Sequence, residues 1–238
     1  MTIIRQKTIL CPQCEGEMAI FVGVSGNTFG STLWTDGFLD APMLQPAARA
    51  LRCPHCHEAF FRDDAKEAEE HSTARPEIAS DSTPYASVGG LSTYRELIAK
   101  TTDRERLGYL RIMIWHEQND RLRKEHAKRE REKRNAWPDL RSRSETADGA
   151  QRLEPAAPIK NARFAANLRA LSKLLDETPE HAIMKAEICR ELGMFEQAID
   201  TAGAVSGKSE WVAHQIIALA KAGNARVAIL KRPGEKED

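Results

Sequence analysis

Net charge is the first thing this chain lacks: across 238 residues, 35 Lys+Arg meet 35 Asp+Glu. No field of one sign remains to gather nucleic acid or an anionic membrane, so either activity would need a local patch. Aromatics are scarce at 6%, which limits the chain to modest cores or cores interrupted by solvated segments. Long apolar runs are missing too. The longest, from Met18 to Val22 and on to Val24, falls far short of the roughly 20 residues that cross a bilayer. The first ten residues hold only Ile3-Ile4 and Ile9-Leu10 around Arg5, Gln6 and Lys7, which is not the pattern of a signal peptide. The expectation is a cytoplasmic protein of one or two domains with no membrane partner.

Cysteine is sparse but organised. Four of the five cysteines form two pairs of identical spacing, Cys11-Pro12-Gln13-Cys14 and Cys53-Pro54-His55-Cys56. In a reducing compartment such pairs read as thiolates held reduced or bound to metal rather than as a disulfide frame. Each pair can give two sulfurs to one tetrahedral ion, with Pro stiffening the turn, and together they fill its coordination sphere. Such a site is a staple and leaves no open position for a catalytic water. Two redox dithiols are the competing reading, although neither pair opens a helix in a βαβ context as a thioredoxin-like dithiol would. Zn2+ is the expected ion. Iron would use the same four ligands.

These knuckles resemble the zinc-ribbon family over residues 8–61, in which one knuckle sits at a hairpin near the start and the other at a hairpin near the end. The family often places Gly directly after the second cysteine, where this chain has Glu15 and His57. The 38 residues between the knuckles exceed what a minimal ribbon needs and imply an extra hairpin. Its turn is expected at Asp36-Gly37, between Ser31–Trp34 and Phe38-Leu39. The block from Gly30 to Gly37, ending in Ala41-Pro42-Met43, resembles a segment of uncharacterised bacterial zinc-ribbon proteins, and the resemblance implies no activity.

Beyond residue 61 the pattern turns helical. Residues 62–90 read as a linker with breakers at Pro76, Pro84 and Gly89-Gly90. Thr93 with Glu96, and Thr102 with Glu105, have capping-box spacing and start two helices over 91–134. Leu107, Leu110 and Ile114 form an apolar stripe on the second before charge takes over at Gln118. Within that charged stretch Arg121, Arg123, Lys124, Lys128, Arg129 and Arg131 form the one basic patch, with possible phosphate contacts. Interleaved glutamates equally make it a solvated, salt-bridged helix. Residues 135–160, with Pro138, Pro155 and Pro158, read as a second linker, and 233–238 as a tail.

Over 161–232 Phe164, Leu168, Leu171 and Leu175 share one helical face, and Thr178-Pro179 starts the next helix. Further helices are expected near 180–192, 194–204 and 209–222, then a short one. Gly193, Phe195 and Ala198 are echoed 30 residues later by Gly223, Ala225 and Ala228. This stretch resembles the tetratricopeptide-repeat family, which implies a peptide-binding concave face. The echo departs from it where Ala225 replaces the aromatic and where the period falls below the usual length of about 34. Gly203–Ser209 has one residue too few for a phosphate loop and is expected to be a turn with Ser209 as N-cap.

The expected fold class is therefore α+β, mostly α: a small metal-stapled β ribbon (1–61), a helical hairpin (91–134), and a C-terminal antiparallel helical repeat-like domain (161–232). The expected function is that of a non-enzymatic zinc-binding adaptor whose helical region engages a protein partner. The alternative is a nucleic-acid-associated factor using residues 121–134. Replacing one ligand tests the metal assignment: Cys53→Ser is expected to release the ion and unfold residues 8–61 while the C-terminal helices stay formed. Unchanged metal content in that variant would contradict it.

Overall fold

The computed structural model describes residues 3–44, 48–68, 83–135, 155–232 and 234. The strands are β1 (Ile3–Leu10), β2 (Glu17–Ser25), β3 (Thr32–Leu33), β4 (Leu39–Asp40), β5 (Ala50–Arg52), β6 (Ala59–Phe61), β7 (Lys66–Glu67) and β8 (Ser87–Val88). The helices are α1 (Leu91–Lys100), α2 (Arg104–Asn135), α3 (Ala162–Ser172), α4 (Pro179–Glu191), α5 (Phe195–Gly203) and α6 (Glu210–Lys221). The fold is thus mixed α and β, with small antiparallel sheets. The chain divides into two compact units, Met1–Thr32 with Leu39–Ile114, and Leu33–Phe38 with Trp115–Asp238. Of the expected linkers and tail, residues 69–82, 136–154, 233 and 235–238 lie outside the described residues, and the described part of the first linker holds β7, β8 and a 3-10 turn at Arg62–Asp64.

In the first unit β1 pairs antiparallel with β2 from Leu10↔Glu17 outward, and β7 adds to the other side of β1. A second sheet has the order β6-β5-β8. Alternation along β5 and β6 gives this sheet two buried faces. Leu51 and Phe60 point into a core with Ile9, Met18, Ile20, Cys11 and Cys53, whereas Ala50, Ala59 and Phe61 meet Tyr94, Leu97, Leu110 and Ile114. Charged groups tie α1 to this sheet. Glu96 accepts from Arg52 Nη2 at 2.8 Å, from Lys100 Nζ at 2.8 Å and from the Ala59 amide at 3.2 Å. Those bonds, Lys100 foremost, hold its carboxyl down at about 2.

Two helix starts differ from the expected capping boxes. Gly90 is the N-cap of α1, and Thr93 lies buried inside the helix, where its hydroxyl accepts from Arg52. Arg52 and Ala59 outcompete the helix's own end for Thr93 and Glu96. At α2 the cap is Asp103, whose carboxylate accepts from the Arg106 amide at 2.7 Å.

In the second unit Phe164, Leu168 and Leu171 of α3 are buried, and Asn161 caps the helix through the amides of Arg163 and Phe164. The Thr178 hydroxyl caps α4 with Pro179 in the first turn. Helices α4, α5 and α6 pack in succession, around Ala186, Ala202, Val205, Ala213 and Ile216. Gly193 and Gly223 end α4 and α6 in the left-handed region, with φ of 78° and 67°, where a Cβ would be strained. A Cβ on Gly193 would also lie 2.8 Å from the Pro158 ring, and one on Gly223 3.9 Å from Pro155.

Among the described residues after α6 the expected short helix is absent. The Asn224 side chain accepts from the Arg226 amide, the Ala225 amide donates to the Ala156 carbonyl, and the Leu230 amide donates to the Leu33 carbonyl. Donors that a helix would use are taken by other segments. At Gly207–Ser209 the expected turn is a single 3-10 turn, and Ser209 makes no cap bond.

A buried ionic cluster lies in this unit. The Asp36 carboxylate pairs with the Arg123 guanidinium, and Arg190 pairs with Glu187. The Asn119 amide donates to Asp36 and to Glu191, both at 3.0 Å, and Trp115 Nε1–H donates to Glu191 at 3.0 Å. Arg190 also donates to the Thr35 hydroxyl and the Asn224 carbonyl. Three carboxyls face two guanidiniums. Burial, then Glu187 and Asp36, push the Glu191 carboxyl well above its ordinary range, outweighing Arg190 and the Trp115 donor. The folded state therefore holds this proton more tightly than the unfolded chain does.

Since the folded state binds a proton that the unfolded chain releases, this group's contribution to stability falls as pH rises above about 4.5 toward its raised folded value. Glu191→Gln, which keeps a neutral side chain of the same shape, is expected to remove that part of the decline, up to about 1.4 kcal/mol per pH unit. Arg123→Met, which strands Asp36, is expected to cost about 3–5 kcal/mol. Denaturant unfolding followed by circular dichroism from pH 5 to 9 reads both effects.

Candidate metal centre

Each Cys-x-x-Cys pair forms the turn of a hairpin, the first between β1 and β2 and the second between β5 and β6. The two turns have the same backbone pattern. The Cys11 amide donates to the Gly16 carbonyl and the Glu15 amide to the Cys11 carbonyl; the Cys53 amide donates to Glu58 and the His57 amide to Cys53. This closure needs a left-handed residue after the second cysteine of each pair. Glu15 and His57 supply it, at φ of 56° and 61°, at a cost of roughly 1–2 kcal/mol each relative to Gly. The knuckle geometry thus survives the loss of the family's usual glycine. The Gln13 and His55 amides lie 3.4 and 3.3 Å from the Cys11 and Cys53 sulfurs, where they donate to them.

The two turns bring all four sulfurs within 4.8 Å of one another. Cys11 and Cys56 are 3.8 Å apart at sulfur, and Cys14 and Cys53 are 3.7 Å apart. A tetrahedral ion with metal–sulfur bonds of about 2.3 Å has sulfur–sulfur edges of about 3.8 Å, whereas a disulfide needs about 2.05 Å. The spacing fits a metal rather than bonded cysteines. Cys11 and Cys53 are buried and Cys14 is exposed. Burial pushes the Cys11 thiol up to about 12, so its thiolate form there needs a cation beside it.

Around the sulfurs, His55 is a supporting residue rather than a ligand. Its Nε2 lies 2.8 Å from the Glu17 carbonyl, and its ring packs so closely on Gly16 that a Cβ there would lie 2.6 Å from Cδ2. The His57 carbonyl accepts from Arg52. Neither Gly16 nor Arg52 stood out in the sequence, because a close approach and a long-range bond leave no local pattern. These residues form a four-cysteine knuckle pair, consistent with a zinc ribbon.

Comparison of the chain with protein-family models, curated proteins and solved structures returned no match. The tetratricopeptide-like reading of residues 161–232 thus has no family support.

Of the basic residues of α2, Arg121, Lys124, Lys128, Arg129 and Arg131 are exposed and Arg123 is withdrawn from the surface. Arg123 is buried against Asp36 and lies over the Phe38 ring, 4.2 Å from its centroid. Arg121 pairs with Glu125, Lys124 with Asp120 and Lys128 with Glu132, each one helical turn away. Arg129 and Arg131 are exposed; the side chains of Lys133 and Arg134 lie outside those described. No helix among the described residues is long and apolar enough to cross a membrane.

The Gly16–His55 contact gives a test of how the two knuckles fit together. Gly16→Ala is expected to cost about 1–3 kcal/mol by overpacking and to weaken metal retention. Adding His55→Ala should remove most of that cost. A double-mutant cycle on the unfolding midpoint, with metal retention against a chromogenic chelator, checks it.

Proposed function

We propose that this chain is a non-enzymatic cytoplasmic zinc-binding protein in which Zn2+, held by Cys11, Cys14, Cys53 and Cys56, staples the β unit while the helical unit engages a protein partner. The four-sulfur geometry carries this reading. A coordination sphere filled by four thiolates has no position for substrate or water, so the ion's contribution is to folding. Cys11 and Cys53 lie in the same core as Ile9, Met18, Ile20, Leu51 and Phe60, so an ion held there would fasten the two hairpins at that core. On the helical side, support comes from the packed succession α4–α6 and from the exposed Met194 at the start of α5.

A nucleic-acid contact through α2 is the second reading, favoured by the exposed Arg129 and Arg131. The full chain is the bait that separates the two. Metal analysis is expected to give one Zn2+ per chain with no visible absorption, whereas an iron tetrathiolate would be coloured. Affinity capture from native lysate, with and without nuclease, is expected to retain the same specific protein under both conditions. Loss of retention with nuclease, and with rising salt, would move the function to the second reading.

A further inference from the structure

We propose that the first unit carries a receptor cleft for a small organic acid, an apolar aromatic or branched body ending in one carboxylate, with Arg62 as the group that reads the charge. The cleft holds about 210 Å³ and lies between β2 and residues 85–88. Its floor is packed core: Ile20 and Leu51 are buried, and Ala48 and Ala86 pack against them. One wall is aromatic and held in place. The Phe21 and Tyr85 rings stack with centroids 4.9 Å apart, and the Tyr85 hydroxyl donates to Gln6 Oε1 at 3.2 Å.

Among the described residues Arg62 is the one charged side chain that lines this cleft, and its guanidinium has no hydrogen bond or ion pair there. Its backbone is fixed: the amide donates to the Arg49 carbonyl at 2.8 Å, and the carbonyl accepts from the Ala65 amide at 3.1 Å. The neighbouring carboxylates are committed elsewhere. Asp63 pairs with Arg49, Asp64 with Arg106 and Glu67 with Lys7, and Arg62 adds only a minor through-space effect on Glu67.

The occupant follows from charge and size. A guanidinium at the border of an apolar cleft favours an anion, and its two parallel N–H bonds match one carboxylate. A cationic ligand would be repelled, and a neutral apolar one would cover the guanidinium without replacing its water. The body must be short, because the volume lies below the roughly 300–1,000 Å³ of sites for drug-sized ligands. The backbone disfavours an extended peptide. The Ala19 amide already donates to the Pro84 carbonyl at 2.9 Å, and the Ala86 amide to the Ala19 carbonyl at 3.0 Å, so a main-chain ladder is closed at that point of β2. A free acid needs no such ladder.

Titration of the metal-loaded full chain with phenylacetate to about 20 mM, followed in proton–nitrogen correlation spectra, tests this, with phenylacetamide as the neutral match. Saturable shifts are expected at the Ala86 and Val88 amides and at Arg62 Nε–H, with a Kd of about 1–10 mM for a ligand of about ten non-hydrogen atoms. Arg62→Gln is expected to weaken phenylacetate at least about fivefold, to leave the response to phenylacetamide unchanged, and to keep the metal and the circular dichroism spectrum. The absence of saturable shifts at these positions, an equal response to acid and amide, or unchanged phenylacetate binding in the variant overturns the proposal. Tighter binding of a short peptide ending in phenylalanine than of phenylacetate also overturns it, in favour of a chain terminus.

Discussion

An ion taken out of water costs several kcal/mol unless counter-charge and hydrogen bonds meet it, and each unit of this protein has one place where that condition governs the design. In the first unit four sulfurs converge, and two of the four cysteines are buried. As thiolates they need a dication. In the second unit three carboxyls and two guanidiniums are buried together, with Asn119 and Trp115 supplying further donors and burial raising the Glu191 carboxyl. The two solutions differ in kind. One would recruit charge from solution, and the other assembles it from separate stretches of the same chain.

That difference sets how each unit fails. With an ion on the four sulfurs, the hairpin pair would be sensitive to chelation and to thiol oxidation, because that counter-charge is exchangeable. The ionic cluster is sensitive to truncation. Removing either guanidinium leaves a buried carboxylate unpaired, a larger loss than the pair itself contributes over apolar residues of similar volume. The cluster therefore specifies where Leu33–Phe38 sits in the helical unit more than it adds to stability. Asp36, Thr35 and Trp34 bind through side chain and backbone to α2, α4 and residues 228–229.

Much of the architecture was legible in the sequence because it rests on local rules. The Cys-x-x-Cys pairs marked the metal site, Thr178-Pro179 marked the start of α4, and the spacing from Phe164 to Leu171 marked the buried face of α3. What escaped reading is long-range. Asp36 has the sequence signature of a hairpin turn, and its Oδ1 does accept from the Phe38 amide, but its other oxygen binds Arg123, 87 residues away. Arg123 reads as one cation among many. Glu187, Arg190 and Glu191 look like an ordinary solvated stretch, and only the fold shows that all three are buried. The repeat echo at Gly223 predicted a helix end correctly and a following helix wrongly, because the donors after Asn224 are taken by Ala156 and Leu33.

The contacts of Pro158 with Gly193 and of Pro155 with Gly223 act as a ruler. Two helix ends 30 residues apart are gauged by two prolines three residues apart, with Ala156 bridged to Asn224 between them. A single insertion within α4 to α6 would shift one mark against the other. The length of this segment is therefore under tighter constraint than its composition, and variation here should come as substitution rather than as gain or loss of residues.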